Sequence, residues 1–429
     1  MATAFGLDFG TSNSSLSVNR DGAVELLDID RNSPIPLALK SVLYFLEGPQ
    51  GLKTYIGYEA VNQYIATEAA GRYMQSIKTF LPDPLFSKTL IFNRFYPLEE
   101  LISFFLKTIK KRGEALVGGA VDRVVLGRPV VFSEESANDR LAEKRLARAA
   151  ELAGFKEVLF QAEPVAAALS FENSLSAGEE KLVLVGDFGA GTSDFTILKA
   201  RKDERRRLDR SADILAAGGV YIGGDVFDAA LMWEKVCKYY GRDVQTRSLM
   251  NDSRLPMPSD IMNKLKQWNL IPLLRTKETL HSISNYKYLT DPEERHLIEN
   301  LENLIKDNYG YTLFQSVERA KCGLSDADAA RIRLDNYAIA IDEPVTRAEF
   351  EAYIAREVAK IDGCVASVIA KAGLLTGAID AVFLTGGSSY IPMIQKVFAD
   401  RFDRAIIRQS DAFTSVAYGL GLYADILTR

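Results

Sequence analysis

Cysteine, histidine and tryptophan are scarce in this chain of 429 residues, which holds three cysteines, two histidines and two tryptophans. Cys237, Cys322 and Cys364 are odd in number, widely spaced and never in a C-x-x-C pair. Neither a disulfide framework nor a thiolate zinc site is expected from them. His281 and His296 sit in a polar stretch, so a histidine metal cluster and a Ser-His-Asp triad are excluded as well. No apolar run approaches the ~20 residues that a membrane span requires. Folding residues begin by Ala4, which leaves no room for a secretory leader. A reducing, cytoplasmic setting with no membrane is therefore expected. Charge of one sign is also missing: 52 basic side chains against 57 acidic ones leave a net charge of −5, with no general attraction to nucleic acid. What is present, 47% apolar and 25% charged residues, is an ordinary globular composition with enough chain for two or three domains.

The most informative stretch is LVLVGDFGAGTSDFTIL, from Leu182 to Leu198, in which an apolar run ends in Asp187, turns through glycine and threonine, and resumes in β-favouring residues. The same syntax occurs near the start in AFGLDFGTSNSSLSV, from Ala4 to Val18, with Asp8 ahead of the turn. Both read as strand, turn, strand. A glycine-rich hairpin can direct backbone N–H groups at a phosphate, and an Asp at the strand end can hold Mg²⁺ directly or through water. One such turn is most simply a hairpin. Two of them, one in each half of the chain, suggest two similar domains closing on one nucleotide. Asp-Phe-Gly also marks protein kinases, but there is no H-R-D loop and no glycine-rich loop with a following strand lysine, so a kinase is rejected.

Between and beyond the hairpins, strands alternate with helices, the pattern of an α/β protein. Residues 21–58 read as β-rich. A helix opens at Pro97 with Leu98, Leu101, Ile102, Phe105, Leu106 and Ile109 on one face and is expected to stop near Gly113. A buried strand in VDRVVLGRPVVF breaks at Pro129, and the next helix carries Ala142, Leu146, Ala149, Ala150 and Ala153 on a stripe. QAEPVAAALSFE is a small-residue helix opening at Pro164, with Glu163 just outside it as a favourable helix-end charge. Lys78 alone would be a solvated lysine, and RKDERRRLDR (Arg201 to Arg210) a solvated turn. Paired glycines in GGVYIGGDVFD allow close backbone approach. From Tyr239 to Gly310 the chain reads as a polar surface lobe whose helix from Pro292 to Asp307 carries Leu297, Leu301, Leu304 and Ile305 on one face. Thr346 and Glu349 form a capping box before a long helix, and AIDAVFLTGGSSYIPMIQKVF is a strand–Gly-Gly–helix unit.

Taken together and in order, GLDFGTSNSS, AEPVAAAL, DFGAGTSD, YIGGDVFD, VERAKCGLS, LTGGSSYIP and VAYG resemble the nucleotide-binding ATPase domain of the seventy-kilodalton heat-shock (DnaK-type) family. The resemblance is greatest to the short YegD-like branch that stands without a substrate-binding module. It implies an actin-like α/β ATPase fold of two lobes, each with a ribonuclease-H-like sheet flanked by helices, and ATP or ADP with Mg²⁺ in the cleft between them. Lobe I would be residues 1–180 and lobe II residues 181–429, the latter with a polar helical sublobe at about 229–325.

By the same resemblance, Asp8, Asp187 and Asp194 would hold hydrated Mg²⁺. Gly10, Thr11, Ser12, Asn13, Gly189, Ala190, Gly191 and Thr192 would contact phosphates, Gly223, Gly224 and Asp225 would form the following turn, and Lys78 and Glu163, with Asp187 and Thr192, would place or activate the attacking water. Glu318, Lys321, Ser325, Gly386, Gly387, Ser388 and Tyr390 would contact adenosine.

The implied function is slow ATP hydrolysis serving a chaperone-like or regulatory interaction, with a protein client or regulator and a nucleotide-exchange partner. The alternatives are a nucleotide-gated binding module with little hydrolysis, an actin-like filament protein and a sugar kinase. Four positions depart from the family pattern. Ala190 replaces a glycine, at a cost of roughly 1 kcal/mol if positive φ is needed there. Cys322 and Tyr390 replace adenine-sandwiching arginines, and Phe413 replaces an acidic residue. With no hydrophobic linker or β-sandwich module after Leu427, peptide clamping by the usual chaperone route is not expected.

Overall fold

Both Asp-bearing stretches fold as antiparallel hairpins, since β-branched and aromatic residues flank a turn of glycine and small polar residues on each side. In the computed structural model, which describes residues 3–49, 51–67, 70–202, 209–248, 253–268, 270–335, 339–409 and 414–428, the first hairpin joins β1 (Thr3–Phe9) to β2 (Asn13–Arg20). Asp8 stands opposite Ser15 there, and Phe9 opposite Ser14. With β3 (Ala23–Leu26), β4 (Arg123–Arg128) and β5 (Glu157–Ala162), this hairpin forms a sheet in the order β3-β2-β1-β4-β5. The second hairpin joins β6 (Glu180–Phe188) to β7 (Ser193–Arg201) and sets Asp187 opposite Asp194 and Phe188 opposite Ser193. With β8 (Ile214–Val220), β9 (Ala381–Thr385) and β10 (Ile407–Gln409), it gives the order β8-β7-β6-β9-β10. In each sheet's main order three strands run antiparallel and two further strands add in parallel, and in the first sheet the short strand Leu39–Lys40 also pairs antiparallel with β2. The second sheet thus repeats the topology of the first, as two similar halves require.

Contacts group the chain into two units: Met1–Tyr221 with Ile361–Ser389 and Val397–Arg429, and Ile222–Lys360 with Tyr390–Lys396. Both sheets belong to the first unit. One face of the first sheet is covered by α1 (Leu98–Val117) and α2 (Ser136–Leu152), which bury Phe5, Leu7, Phe9 and Leu16 against Leu101, Phe105, Leu146 and Ala149. A second core is built on α3 (Glu163–Ser174) and α6 (Ser415–Tyr423), where α4 denotes Arg347–Lys371 and α5 Pro392–Ala399. These two helices are exchanged between the halves. The helix that follows β5 packs on β6 and β7 of the second sheet, and the helix that follows β10 packs on β1, β2 and β3 of the first. They meet at Gly419, where a Cβ would lie 1.9 Å from the carbonyl oxygen of Ala166. Buried side chains of β2 receive α6: Ser17 Oγ donates to Ala417 O at 2.6 Å and Asn19 Nδ2 to Gly421 O at 2.9 Å.

Four local expectations are corrected. α1 runs through Gly113 to Val117 and ends at Gly118, whose φ is 74°. Gly113 is a contact residue rather than a stop, because a Cβ there would come within 2.6 Å of Leu16 Cδ2 and 2.8 Å of Phe5 Cζ. Glu163 is the first residue of α3 and not outside it. In the second unit, helix Arg295–Lys306 buries Ile298, Leu301, Leu304 and Ile305, while Leu297 lies on its half-exposed flank. Unit two holds the polar region together with helices Gly224–Leu231 and Gly310–Asp326. The capping box is formed: Thr346 N donates to Glu349 Oε2 at 2.8 Å, and Glu349 N to Thr346 Oγ1 at 3.3 Å. The middle of the run Arg201 to Arg210, and Phe413, lie outside the described residues, but the end of the run is not a solvated turn: Arg210 is buried and its Nη2 donates to Glu172 Oε1 at 2.6 Å. Among the described residues, no helix is long and apolar enough to cross a membrane.

Two outcomes test these packing and capping contacts. Gly419→Val forces a side chain into the Ala166 backbone and should cost about 3 kcal/mol, the upper range for overpacking, read as a lower melting temperature. Lys235 first, and then Thr346, hold the Glu349 carboxyl down at about 2 from its ordinary 4.5. A depressed carboxylate contributes stability fully above its unfolded pKa and loses it as the pH falls through its folded one. Glu349→Gln should therefore be less stable than wild type at pH 7 in urea, with the two converging between pH 4.5 and about 2.

Candidate functional site

Lys78 sits in a single 3₁₀ turn, Ile77–Phe80, entered through Ser76 at φ 55°, ψ 28°. This left-handed conformation is unusual for a residue with a Cβ and marks backbone held against its preference. The turn directs the lysine inward, where Lys78 Nζ donates to Glu163 Oε1 at 2.8 Å with both side chains almost wholly buried. Gly127 on β4 packs closely beside Glu163, since a Cβ there would approach Glu163 Cγ at 3.2 Å. The solvated-lysine and helix-charge readings of these two residues are thereby replaced by one buried ion pair.

Three further carboxylates share the pair's electrostatic surroundings. Burial, then Glu163 and Asp187, push Asp8 up to about 8, opposed by Lys78. Burial, then Glu163 and Asp194, push Asp187 up to about 7. Asp194 reaches solvent at its edge yet is also raised, first by the density of protein around it, although Thr192 Oγ1 donates to its Oδ2 at 2.8 Å. Burial alone would lower the Lys78 ammonium, but Glu163, Asp8 and Asp187 outweigh it and raise it above the usual lysine range. One ammonium among these carboxylates leaves the cluster short of positive charge, so Asp8, Asp187 and Asp194 are held toward the neutral form while Lys78 is held charged. A divalent cation would supply that charge. Among the described residues no three acidic, thiol or imidazole groups converge closely enough to ligate a metal directly. Carboxylate oxygens are the donor type that Mg²⁺ takes, directly or through its water shell.

The hairpin turns flank this cluster. Gly10 is required by geometry, a Cβ there falling 2.2 Å from Asn13 O. Its loop, Gly10 to Asn13, is pinned by the buried Ser41, whose N–H donates to Ser12 O at 2.8 Å and whose hydroxyl donates to Gly10 O at 2.7 Å. In the second turn the space beside Gly191 is open, and Gly189 has only ordinary contact with Thr192. Ala190 is not among the described residues with positive φ, so the conditional strain attached to it is not incurred. Gly386 does take positive φ, 87°, where a Cβ would strike Phe188 O at 2.2 Å. The Gly-Gly-Ser turn, Gly386 to Ser388, is thus seated on the end of β6, with Ser388 buried and open space beside Gly387.

In the second unit, Gly223 and Gly224 begin helix Gly224–Leu231, with Asp225 exposed in its first turn. Glu318, Lys321, Cys322 and Ser325 share one face of helix Gly310–Asp326 by their spacing. Lys321 is already engaged, donating to Asp228 Oδ2 at 2.8 Å and to Gly224 O at 3.3 Å. Tyr390 is partly exposed. Ser41 and Gly127, which support the candidate site structurally, were not expected from the sequence. A lone glycine inside the strand VDRVVLGR was a signal of close approach, whereas nothing in the sequence around Ser41 distinguished it.

The family model for Hsp70 protein matches residues 82–255 and 299–429, more than half of the chain. This chain belongs to the Hsp70 family. Among curated relatives of this Hsp70 chain, the protein named Chaperone protein DnaK from Thermotoga neapolitana is 26% identical over 98% of the chain and 59% of that relative. The one from Elusimicrobium minutum is 25% identical over 100% and 58%. The one from Methanothermobacter thermautotrophicus is 24% identical over 98% and 59%. The chain thus spans under two thirds of the length of these relatives. Its repeated sheet topology is that of the actin-like ATPase fold.

The buried pair yields a stability test. Lys78→Met removes the one ammonium and leaves Glu163 buried among like charges, which should cost about 3 kcal/mol in urea denaturation, in the range for breaking a buried ion pair.

Proposed function

We propose that this Hsp70-family chain binds Mg-ATP and Mg-ADP and hydrolyses ATP slowly. One observation carries the reading: the charges of the Lys78–Glu163 ion pair act on Asp8, Asp187 and Asp194, which sit at the ends of two hairpins of matching register. Phosphoryl transfer asks a protein mainly for placement of the nucleophile and neutralisation of charge. Lys78 and Glu163 hold and orient the attacking water, Glu163 being the acceptor for its proton. Asp8 and Asp187, with Asp194, hold the hydrated ion, which when bound offsets phosphate charge. Gly10, Thr11, Ser12 and Asn13, with Gly189, Ala190, Gly191 and Thr192, present donors to the phosphates. By the family pattern, Glu318, Ser325 and Tyr390, the Gly386 to Ser388 turn, and Gly223, Gly224 and Asp225 are the candidate cofactor contacts of this reading.

The division into lobes at about residue 180 follows the repeat of the hairpins and belongs to this reading. So do a cytoplasmic setting, a protein client or regulator, and a nucleotide-exchange partner. A second reading, a nucleotide-gated module with little hydrolysis, is motivated by Ala190, Cys322 and Tyr390, which depart from the family pattern. Stoichiometric retention of ATP without ADP would select it.

Millimolar Mg-ATP or Mg-ADP should raise the melting temperature, and no shift would reject nucleotide binding. Tyr390→Ala should weaken ATP by about 1–2 kcal/mol, a stacking-sized loss, in a titration. Lys78→Ala should leave nucleotide affinity nearly unchanged and lower single-turnover hydrolysis about 10²-fold or more, as removal of a transition-state contact does. Asp187→Ala should weaken both. Wild-type hydrolysis in the Lys78 variant would reject its catalytic role.

A further inference from the structure

The turn that carries Lys78 has little to hold itself in place. It is one 3₁₀ turn of four residues, too short to be stable alone, and it is entered through the left-handed Ser76. Its bonds include Thr79 N to Ser76 O at 3.1 Å, Thr79 Oγ1 to Ser76 O at 2.7 Å, Leu81 N to Lys78 O at 3.1 Å and Asp83 N to Phe80 O at 3.2 Å. Ile77 and Leu81 anchor it in the core. At its far end Phe80 O accepts from Asp83 N, and the following carbonyls of Leu81 and Asp83 call for a donor from elsewhere.

Arg145, on α2, meets that need. Its side chain is buried, and Nη1 lies 3.2 Å from Phe80 O, 3.0 Å from Leu81 O and 2.8 Å from Asp83 O. On its other side, Nε faces Glu99 Oε1 of α1 at 3.6 Å. A planar guanidinium can satisfy several carbonyls at once while holding a charge partner, which an ammonium on a flexible stem cannot. Through α1 and α2, Arg145 therefore ties the Lys78 turn to the main core of the first sheet.

We infer that Arg145 is a positioning residue for Lys78: by clamping the carbonyls of Phe80, Leu81 and Asp83 it holds the strained turn in the one arrangement that delivers the ammonium to Glu163. The inference deepens the hydrolytic reading of Lys78 and rests on it for its catalytic consequence, while its structural part stands on these contacts.

Two measurements separate the two parts. The first is acylation of Lys78 by an acetyl ester, followed by mass spectrometry in the intact chain, with exposed Lys156 and buried Lys321 as references. Arg145→Met should speed Lys78 labelling about tenfold, as local opening would, with Lys321 unchanged, and Arg145→Lys should recover part of the protection. Unchanged Lys78 labelling overturns the inference, and so does a parallel rise at Lys321, which would mean general loosening. The second measurement is single-turnover hydrolysis. Arg145→Met should lower the rate about tenfold with nucleotide affinity within about twofold, and should add no loss in a chain already carrying Lys78→Ala. A full additional loss in the double variant overturns coupling through Lys78. If Lys78→Ala alone hydrolyses like wild type, the hydrolytic reading fails, and the labelling result still decides the clamp.

Discussion

The close crossing of α3 and α6 is the constraint on which the rest of the first unit depends. Each helix follows one half of the chain and packs on the sheet of the other, and they touch where Gly419 leaves no side chain against the Ala166 carbonyl. The two sheets thereby share a core, with Val183, Val185 and Leu198 from one and Ala4 and Val125 from the other closing on Ala166, Leu169, Leu420 and Tyr423. Small residues at the crossing allow backbone approach that any larger side chain would prevent. Buried Ser17 and Asn19, polar residues in a strand core, are explained by the same contact, because they satisfy carbonyls of α6.

The ionic cluster follows from that packing. Glu163 stands at the start of α3, so the crossing that fixes the helix also fixes its carboxylate, and Gly127 leaves room for it. Asp8 and Asp187 arrive on strands whose ends are set by hairpin register. Crowding carboxylates around a single ammonium is unfavourable in an apo protein. Burial is the first cause of the upward displacement of Asp8 and Asp187, and the like charge of Glu163 adds to it. Backbone strain at Ser76 has the same character, since a locally disfavoured geometry persists where surrounding structure determines it.

The amino-acid sequence by itself determined the local features: both hairpins with their terminal aspartates, the capping box of Thr346 and Glu349, the alternation of strands and helices, and the ordered motifs of the Hsp70 family. Each depends on neighbours a few residues apart, and turn chemistry and side-chain periodicity report such relations directly. The tertiary structure decided what depends on distant chain segments meeting. Lys78 and Glu163 are far apart in sequence, and only their approach turned a nominally solvated lysine and a helix-end charge into a buried pair. Gly113 signalled a stop when read locally, but in the fold it is a contact with Leu16 and Phe5 inside a longer helix. Ser41 and Arg145 act through backbone carbonyls, which look alike in every residue, so no sequence pattern could announce their partners.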